Sequence, residues 1–497
     1  MGTALLLYPN QLFELEALPK VQRVYLIEDP LFFGGDPERV IFPHKQRLVL
    51  HRASMRRYAE EVLWPAGYEV EYIEWTREST SDTGLVRAAF DGASEVYFFD
   101  PIDTLLSARL EAASRALEVH VPLRKLEHPH FYLKSTDVKH FFADFAAHDF
   151  DNFYQWQRER FNILIDEKYR PVGGKLRHEP TARASKISPP GLHTFGDNAF
   201  VEEAILYAEK NFPTYPGELT NFVWPTNHAE AGKWFEAFLE ERLASYGSQL
   251  DKLDSQSSFG FCSALSPMLN TGLLRPMAVV EGTLDFAAVS KQTIPLDSLE
   301  GFIRRVIGWR EYMRAMYQGF GDKHRTSNEL GAHAQLGDVW WNGQTGLAPY
   351  DTVVRKLKAT GYATAVERSR VVGAALLLSD IDPAQVYQFV MSFFIDAYDW
   401  VVVPNVYSAS QFAAGAVFSD VPMVQTSAWF MAQGYQKEPW CDIWDGLYWR
   451  CIENHRAIFA RTRTGKLLVS RLDRLDPARR RVISYRAADF LAASTHL

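Results

Sequence analysis

The spacing of apolar residues changes character once along this chain, and that change limits what it can fold into. Up to about residue 125, short apolar runs at 3–8, 23–27, 69–74, 95–99 and 118–121 alternate with helical patterns, notably at 51–63. Runs of that length separated by amphipathic stretches predict an open parallel sheet built from βαβ units. From about residue 200 onward almost every segment has the helical period, as at 230–246, 296–319, 350–361 and 383–399. With 497 residues there is chain for two or three cores. The expected organisation is an α/β domain over 1–125, a connector over 126–195 and an all-α domain over 196–497. The connector carries the turn-rich stretch Pro171-Val172-Gly173-Gly174-Lys175.

A Rossmann-like sheet raises the question of a dinucleotide at its first turn. Tyr8-Pro9-Asn10-Gln11-Leu12 occupies that turn and contains no GxGxxG, so the usual fingerprint is absent. The net charge of -8 carries no global nucleic-acid signature, although a local basic groove needs cations on one face only. Three cysteines, Cys262, Cys441 and Cys451, are too few for a four-cysteine metal site and too few and odd for a disulfide framework. They point to a reducing compartment, and a cytoplasmic location is expected. Met1-Gly2-Thr3-Ala4-Leu5 reads as a first strand rather than a leader, and no apolar run has membrane-spanning length.

Two segments of the helical half carry chemistry. Ser263-Ala264-Leu265-Ser266-Pro267-Met268-Leu269-Asn270-Thr271-Gly272 sets two hydroxyls and a proline at a helix start, a pattern whose serine oxygens and free N–H groups suit a phosphate. Ile307-Gly308-Trp309-Arg310-Glu311-Tyr312-Met313 places an indole and a guanidinium on an otherwise apolar helix. This pair resembles the FAD-binding halves of DNA photolyases and cryptochromes. The resemblance extends along nearly the whole chain and is nearest to the prokaryotic photolyase-related branch, which includes (6-4) photolyases and cryptochrome-like proteins. Ile27-Glu28-Asp29-Pro30, His44-Lys45-Gln46-Arg47, Pro171-Val172-Gly173-Gly174, Pro404-Asn405-Val406 and Ser410-Gln411-Phe412-Ala413 carry it in order.

The resemblance implies FAD in the helical domain. Ser263, Ser266 and the Leu265 backbone would meet the pyrophosphate, and Arg310 would lie by the flavin or its phosphates. Trp309 and Asn405 would carry the chemistry, the first in the pocket for a flipped lesion and the second near the isoalloxazine ring. An antenna chromophore, a ribityl-lumazine, would sit against the sheet near Asn10 and Glu28. The partner would be damaged DNA.

Several positions depart from the family. Pro349 stands near one expected iron–sulfur ligand, and no cluster is expected. Thr364 and Ala365 replace a histidine pair and cannot serve as acids near neutral pH. Val402 and Ala414 stand where acidic side chains are expected, and neither can hydrogen-bond. Tyr387, Phe389, Phe393 and Phe394 fill a helix where the family has an oxidisable relay, leaving Tyr398 and Trp400, with Trp340, Trp341, Trp444 and Trp449 elsewhere. Phe32 aligns with a second antenna glutamate. Three functions stay open at this point: light-driven dimer repair, a non-repairing cryptochrome-like photoreceptor or regulatory binder, and a flavin-free binder of nucleic acid or protein.

Overall fold

The computed structural model describes residues 2–117, 121–144, 149–180, 187–195 and 197–496. Five parallel strands, β1 (Thr3–Leu7), β2 (Arg23–Ile27), β3 (Glu69–Ile73), β4 (Glu95–Phe99) and β5 (Leu123–Leu126), pair in the order β3-β2-β1-β4-β5. β1 is central, with Leu5 opposite Val24 on one side and Tyr97 on the other. Its Leu5, Leu6 and Leu7 are fully buried, as a strand with covered faces must be. The order reverses beside β1, which places a crevice at the strand ends there. The strand expected at 118–121 falls mostly outside the described residues, and the fifth strand runs from Leu123 to Leu126. The sheet therefore ends one residue beyond the expected boundary.

The remainder is helical apart from the two-residue pairing of Gln335–Leu336 with Thr495–His496. Some expected helices are interrupted. The one expected at 230–246 is split at Arg242 into His228–Glu241 and Leu243–Gln249. The one expected at 383–399 stops at Phe393, and a new helix begins at Asp399. Arg47, from the helix Lys45–Tyr58 of the first domain, explains that stop. Its Nη1 donates to the carbonyls of Met391, Phe394 and Ala397 at 2.8, 3.4 and 3.1 Å, taking up acceptors that a helix end leaves open.

Further contacts join the two domains around this point. Gln46 Nε2 donates to the carbonyls of Glu218, Thr220 and Ala359. His44 lies against Gly217, where a Cβ would come within 2.2 Å of the imidazole and the backbone has φ +96°. Only glycine admits that approach and that conformation together.

Three π-helical turns interrupt the α-helices of the second domain: Arg304–Arg310, Glu367–Gly373 and Asn405–Ser410. A π turn adds a residue to the helical repeat and re-aims the side chains that follow. Such turns concentrate at functional sites.

Candidate functional site

The helix Ser266–Thr271 begins after Leu265, with Pro267 in its first turn. Ala264, between the two serine-bearing positions, takes φ +50°, a left-handed conformation unusual for alanine. Ser263 is fixed through its carbonyl, which accepts from Trp234 Nε1 at 2.9 Å. Ser266 Oγ donates to the Asp396 carboxylate, and Asn270 Nδ2 donates to the Asp396 carbonyl at 3.0 Å. One acidic residue thus holds both the start and the middle of the short helix.

Asp396 also takes a two-pronged contact from Arg368, with Nη1 at 2.9 Å and Nη2 at 3.0 Å. This fork-to-carboxylate geometry is the directional form of an ion pair. Arg368 is aimed by its own helix start. Thr364 N–H and Oγ1 donate to Glu367 Oε2 at 2.8 and 2.9 Å, while Glu367 N–H returns to Thr364 Oγ1, which makes a capping box. Lys356 Nζ closes the other side of the Glu367 carboxylate at 2.7 Å. Arg368 then lies over the rings of Phe394 and Tyr362, 4.6 and 5.2 Å from their centroids.

Tyr362 stacks on Phe259 with centroids 5.3 Å apart and planes 16° apart, and Trp224 leans on both. Cys262 is part of this wall, with burial pushing its thiol up to about 11, so it stays protonated at neutral pH. Burial opposes the charge on Arg368, but Asp396 outweighs it and raises the pKa, so the guanidinium keeps its proton.

The FAD that the resemblance implies combines an anionic diphosphate with a planar ring edged by donors and acceptors. Two observations bear on the fit. Arg368 keeps 33% of its side chain accessible while Asp396 holds its guanidinium. Trp224 Nε1 is buried with no hydrogen-bond partner among the described residues, a donor left over in an aromatic wall. With the Ser263 hydroxyl and the guanidinium of Arg368, which Asp396 holds in place, this donor set fits a flavin nucleotide.

The other expected residues lie apart from this wall. Arg310 Nη1 donates to the His130 carbonyl at 2.9 Å and Nη2 reaches the Leu269 carbonyl at 3.5 Å. Its guanidinium lies 3.9 Å from the Phe131 centroid. Burial lowers its pKa to about 10, against the pull of Glu311. Trp309 is half-buried, edge-on to Phe150 and tilted against Phe418 at 5.5 and 5.4 Å. Asn405 heads the third π turn, and its Nδ2 donates to the Val401 carbonyl at 2.7 Å. That turn packs on the one carrying Arg368.

Of the relay candidates, Trp340 and Trp444 are fully buried, with Nε1 donating to the carbonyls of Ser494 and Gln425. Trp400 meets Phe131 edge-on at 5.2 Å. Tyr398 OH pairs with His51 Nε2 at 2.8 Å, and Tyr387 OH donates to Asp399.

At the sheet, Asn10 is buried and Nδ2 donates to the Pro101 carbonyl at 3.1 Å. Glu28 is buried too, but its carboxylate is already full. Oε1 accepts from Arg52 and Tyr72, both at 2.7 Å, and Oε2 from Trp75 N–H and Tyr207 OH at 2.9 and 3.1 Å. A carboxylate offers about four acceptor positions. Trp75 also packs on Phe212 at 4.6 Å and donates to the Gly34 carbonyl. The residues at Glu28 therefore do not fit a lumazine held through this carboxylate.

Among the described residues no three His, Cys, Asp or Glu side chains form a metal-binding group, and no helix is long and apolar enough to cross a membrane.

Sequence reasoning gave no role to Arg368, Asp396, Tyr362 or Trp224. A signal existed for Arg368, because Thr364 and Glu367 have capping-box spacing just before it. Asp396 carried a weaker one: an acid in the apolar run Phe393-Phe394-Ile395-Asp396-Ala397 needs a buried partner.

Residues 5–224 match the family model described as deoxyribodipyrimidine photo-lyase-related protein. A (6-4) photolyase of Agrobacterium fabrum is 28% identical over 386 residues, covering 76% of this chain and 75% of that protein. Among solved structures, a cryptochrome of Synechocystis sp. PCC6803 matches with a TM-score of 0.59 and 16% identity, over 90% of this chain and 88% of that one. A class III photolyase from Agrobacterium tumefaciens matches with a TM-score of 0.54 and 15% identity, over 84% and 81%.

Proposed function

The chain belongs to the photolyase/cryptochrome superfamily, and from that premise we propose that it binds FAD in its helical domain and splits cyclobutane pyrimidine dimers in DNA by light-driven electron transfer. The observation that carries the reading is the Ser266–Asp396–Arg368 network, hydrogen-bonded throughout with part of the Arg368 side chain accessible. Bound there, reduced FAD would supply an electron to the dimer under light and take it back once both bonds of the cyclobutane ring have opened.

The protein's own part is to bind and orient. Ser263 and the Leu265 backbone suit the diphosphate, while the Ser266 hydroxyl proton goes to Asp396 and fixes the helix start. Arg368 places a permanent positive charge in the site, which favours an electron-rich flavin, and Asp396 keeps that charge aimed. Thr364 is spent on the capping box and Ala365 carries no proton, so this segment offers no acid for (6-4) chemistry. Dimer splitting needs none.

A second reading, flavin used for signalling without repair, draws on Trp309. Its ring is flanked by Phe150 and Phe418 rather than standing free for a base. One experiment tests both. Protein reconstituted with FAD and chemically reduced is given an oligonucleotide with a thymine dimer. Restored thymine under blue light, and none in the dark, is the expected result. Bound flavin with no restoration would overturn the repair reading in favour of the second, and restoration of a (6-4) lesion would contradict the argument from Thr364 and Ala365.

A further inference from the structure

Charge is unevenly placed in this chain. Between Arg456 and Arg486 there are ten lysines and arginines and two carboxylates, in a protein whose net charge is -8. Four of those cations are paired: Arg456 with Glu453 and Asp473, Arg461 with Glu329, Arg479 with Asp442 and Asp445, and Arg480 with Glu453. The other six, Arg463, Lys466, Arg471, Arg474, Arg481 and Arg486, are exposed, with no ion pair shown among the described residues. Leaving so many like charges together is unfavourable unless an anion answers them.

Their spacing sorts them onto helix faces. In the helix Arg463–Asp473, positions Arg463, Leu467 and Arg471 recur every four residues, and Arg474 follows just beyond the helix. Leu467 is 57% exposed on that face, while Gly465 and Leu472 are buried on the other. In the helix Pro477–Ser494, Arg481 and Tyr485 are four apart, as are Val482 and Arg486, and they share one exposed side. Ile483, Ala487 and Phe490 fill the opposite side. Gly446 lets this helix sit close on Trp440–Asn454, since a Cβ there would meet the Ile483 carbonyl at 2.1 Å. The surface is therefore presented on a rigidly packed base.

We propose that this C-terminal helix pair is a docking surface for the phosphate backbone of double-stranded nucleic acid, outside the flavin site. It extends the DNA-binding part of the proposed function without depending on flavin or repair. Unpaired guanidinium forks are matched to phosphate oxygens. Arg463 to Arg474 cover about 16 Å of helix, a length over which duplex DNA presents about nine charges. Exposed Tyr485 (67%) adds a face that can lie on sugar or base. A membrane surface is the poorer match. Only Val482 and Tyr485 are large exposed apolar groups on the longer helix, and its other apolar residues are committed inward, whereas interfacial helices bury a broad apolar face. The surface also begins near the third π turn: Arg461 pairs with Glu329, whose N–H donates to the Ala413 carbonyl just beyond Asn405–Ser410.

The test is fluorescence anisotropy of an undamaged 20-base-pair duplex in the dark, titrated at several salt concentrations. Two variants are compared with the parent: Arg481→Glu/Arg486→Glu and Arg463→Glu/Arg474→Glu. The parent should bind with an affinity that falls steeply as salt rises. Each variant should lose about tenfold or more in affinity, with a salt slope shallower by about two, while thermal unfolding and flavin content stay unchanged. If a reversal unfolds these helices, Arg481→Gln/Arg486→Gln carries the same test. Affinity and slope unchanged in both variants would overturn the proposal. So would a parent that binds polyglutamate or anionic vesicles in preference to the duplex. A parent that takes up no FAD when incubated with an excess, yet binds duplex through these arginines, would contradict the flavin reading and leave this surface standing.

Discussion

Arg368 is the residue on which the site turns, because it joins the aromatic wall to the Asp396–Ser266 network. Arg368→Ala should release the flavin, with retention after gel filtration falling at least tenfold. Arg368→Lys keeps the charge but not the two-pronged geometry and should fall between. Retention equal to the parent in both would remove Arg368 from the site. His44 makes a different prediction, about pH. Its Nδ1 accepts from Gln46 N–H at 3.1 Å and its Nε2 meets the Lys358 carbonyl at 3.2 Å, which suits the neutral ring protonated on Nε2. Burial pushes its pKa down to about 4. A depressed pKa means that the stability is complete above the unfolded value of about 6.5 and is lost as pH falls through 4, a contribution of about 3 kcal/mol. His51 and His128, pushed well below their ordinary range by burial, add to the same loss. Thermal unfolding should therefore weaken steadily from pH 6.5 downward, and His44→Asn should flatten the upper part of that fall.

At the scale of elements, what matters is where helices depart from regularity. Trp309, Arg310, Arg368 and Asn405 all lie in π turns. The packing of the C-terminal helices gives a direct test. Gly446→Ala would bring a Cβ to 2.1 Å from the Ile483 carbonyl and 2.9 Å from Ala487 Cβ. The backbone carbonyl cannot rotate away, so a cost of about 1–3 kcal/mol should exceed the roughly 1 kcal/mol that alanine gains in a helix. A melting temperature at or above the parent's would show that the two helices can part. The first four strands and most helices were legible in the sequence because apolar period follows directly from burial. The π turns were not, because they leave that period nearly intact and arise from packing between distant segments. The break at Phe393 was hidden for the same reason. The residue that holds the open carbonyls there, Arg47, lies more than 300 positions earlier. The serine-bearing helix start was legible as a local pattern, whereas Asp396, which organises it, is 130 residues away from Ser266.

Over the whole molecule, the sheet domain and the helical domain share a polar seam. Asp399 is its centre, accepting from Tyr317 and Tyr387 and paired with Arg325 and with Arg39, which itself pairs with Asp103 of the sheet domain. Burial alone would raise its pKa, but Arg39 and Arg325 outweigh that and hold it at about 2. Asp399→Asn would strand those guanidinium groups and should cost about 3 kcal/mol or more, read from urea unfolding. Because the seam ties both domains together, far-UV circular dichroism and tryptophan fluorescence should report one shared transition in the parent. Separate transitions would show the domains unfolding independently. The central claim is that the helical domain holds FAD against Ser266, Arg368 and Asp396. The most direct measurement is the absorption spectrum of the purified protein, with the released chromophore identified by chromatography. FAD at about one per chain in the parent, and lost in Arg368→Ala, is what the account predicts. A parent that stays colourless after incubation with excess FAD would contradict it.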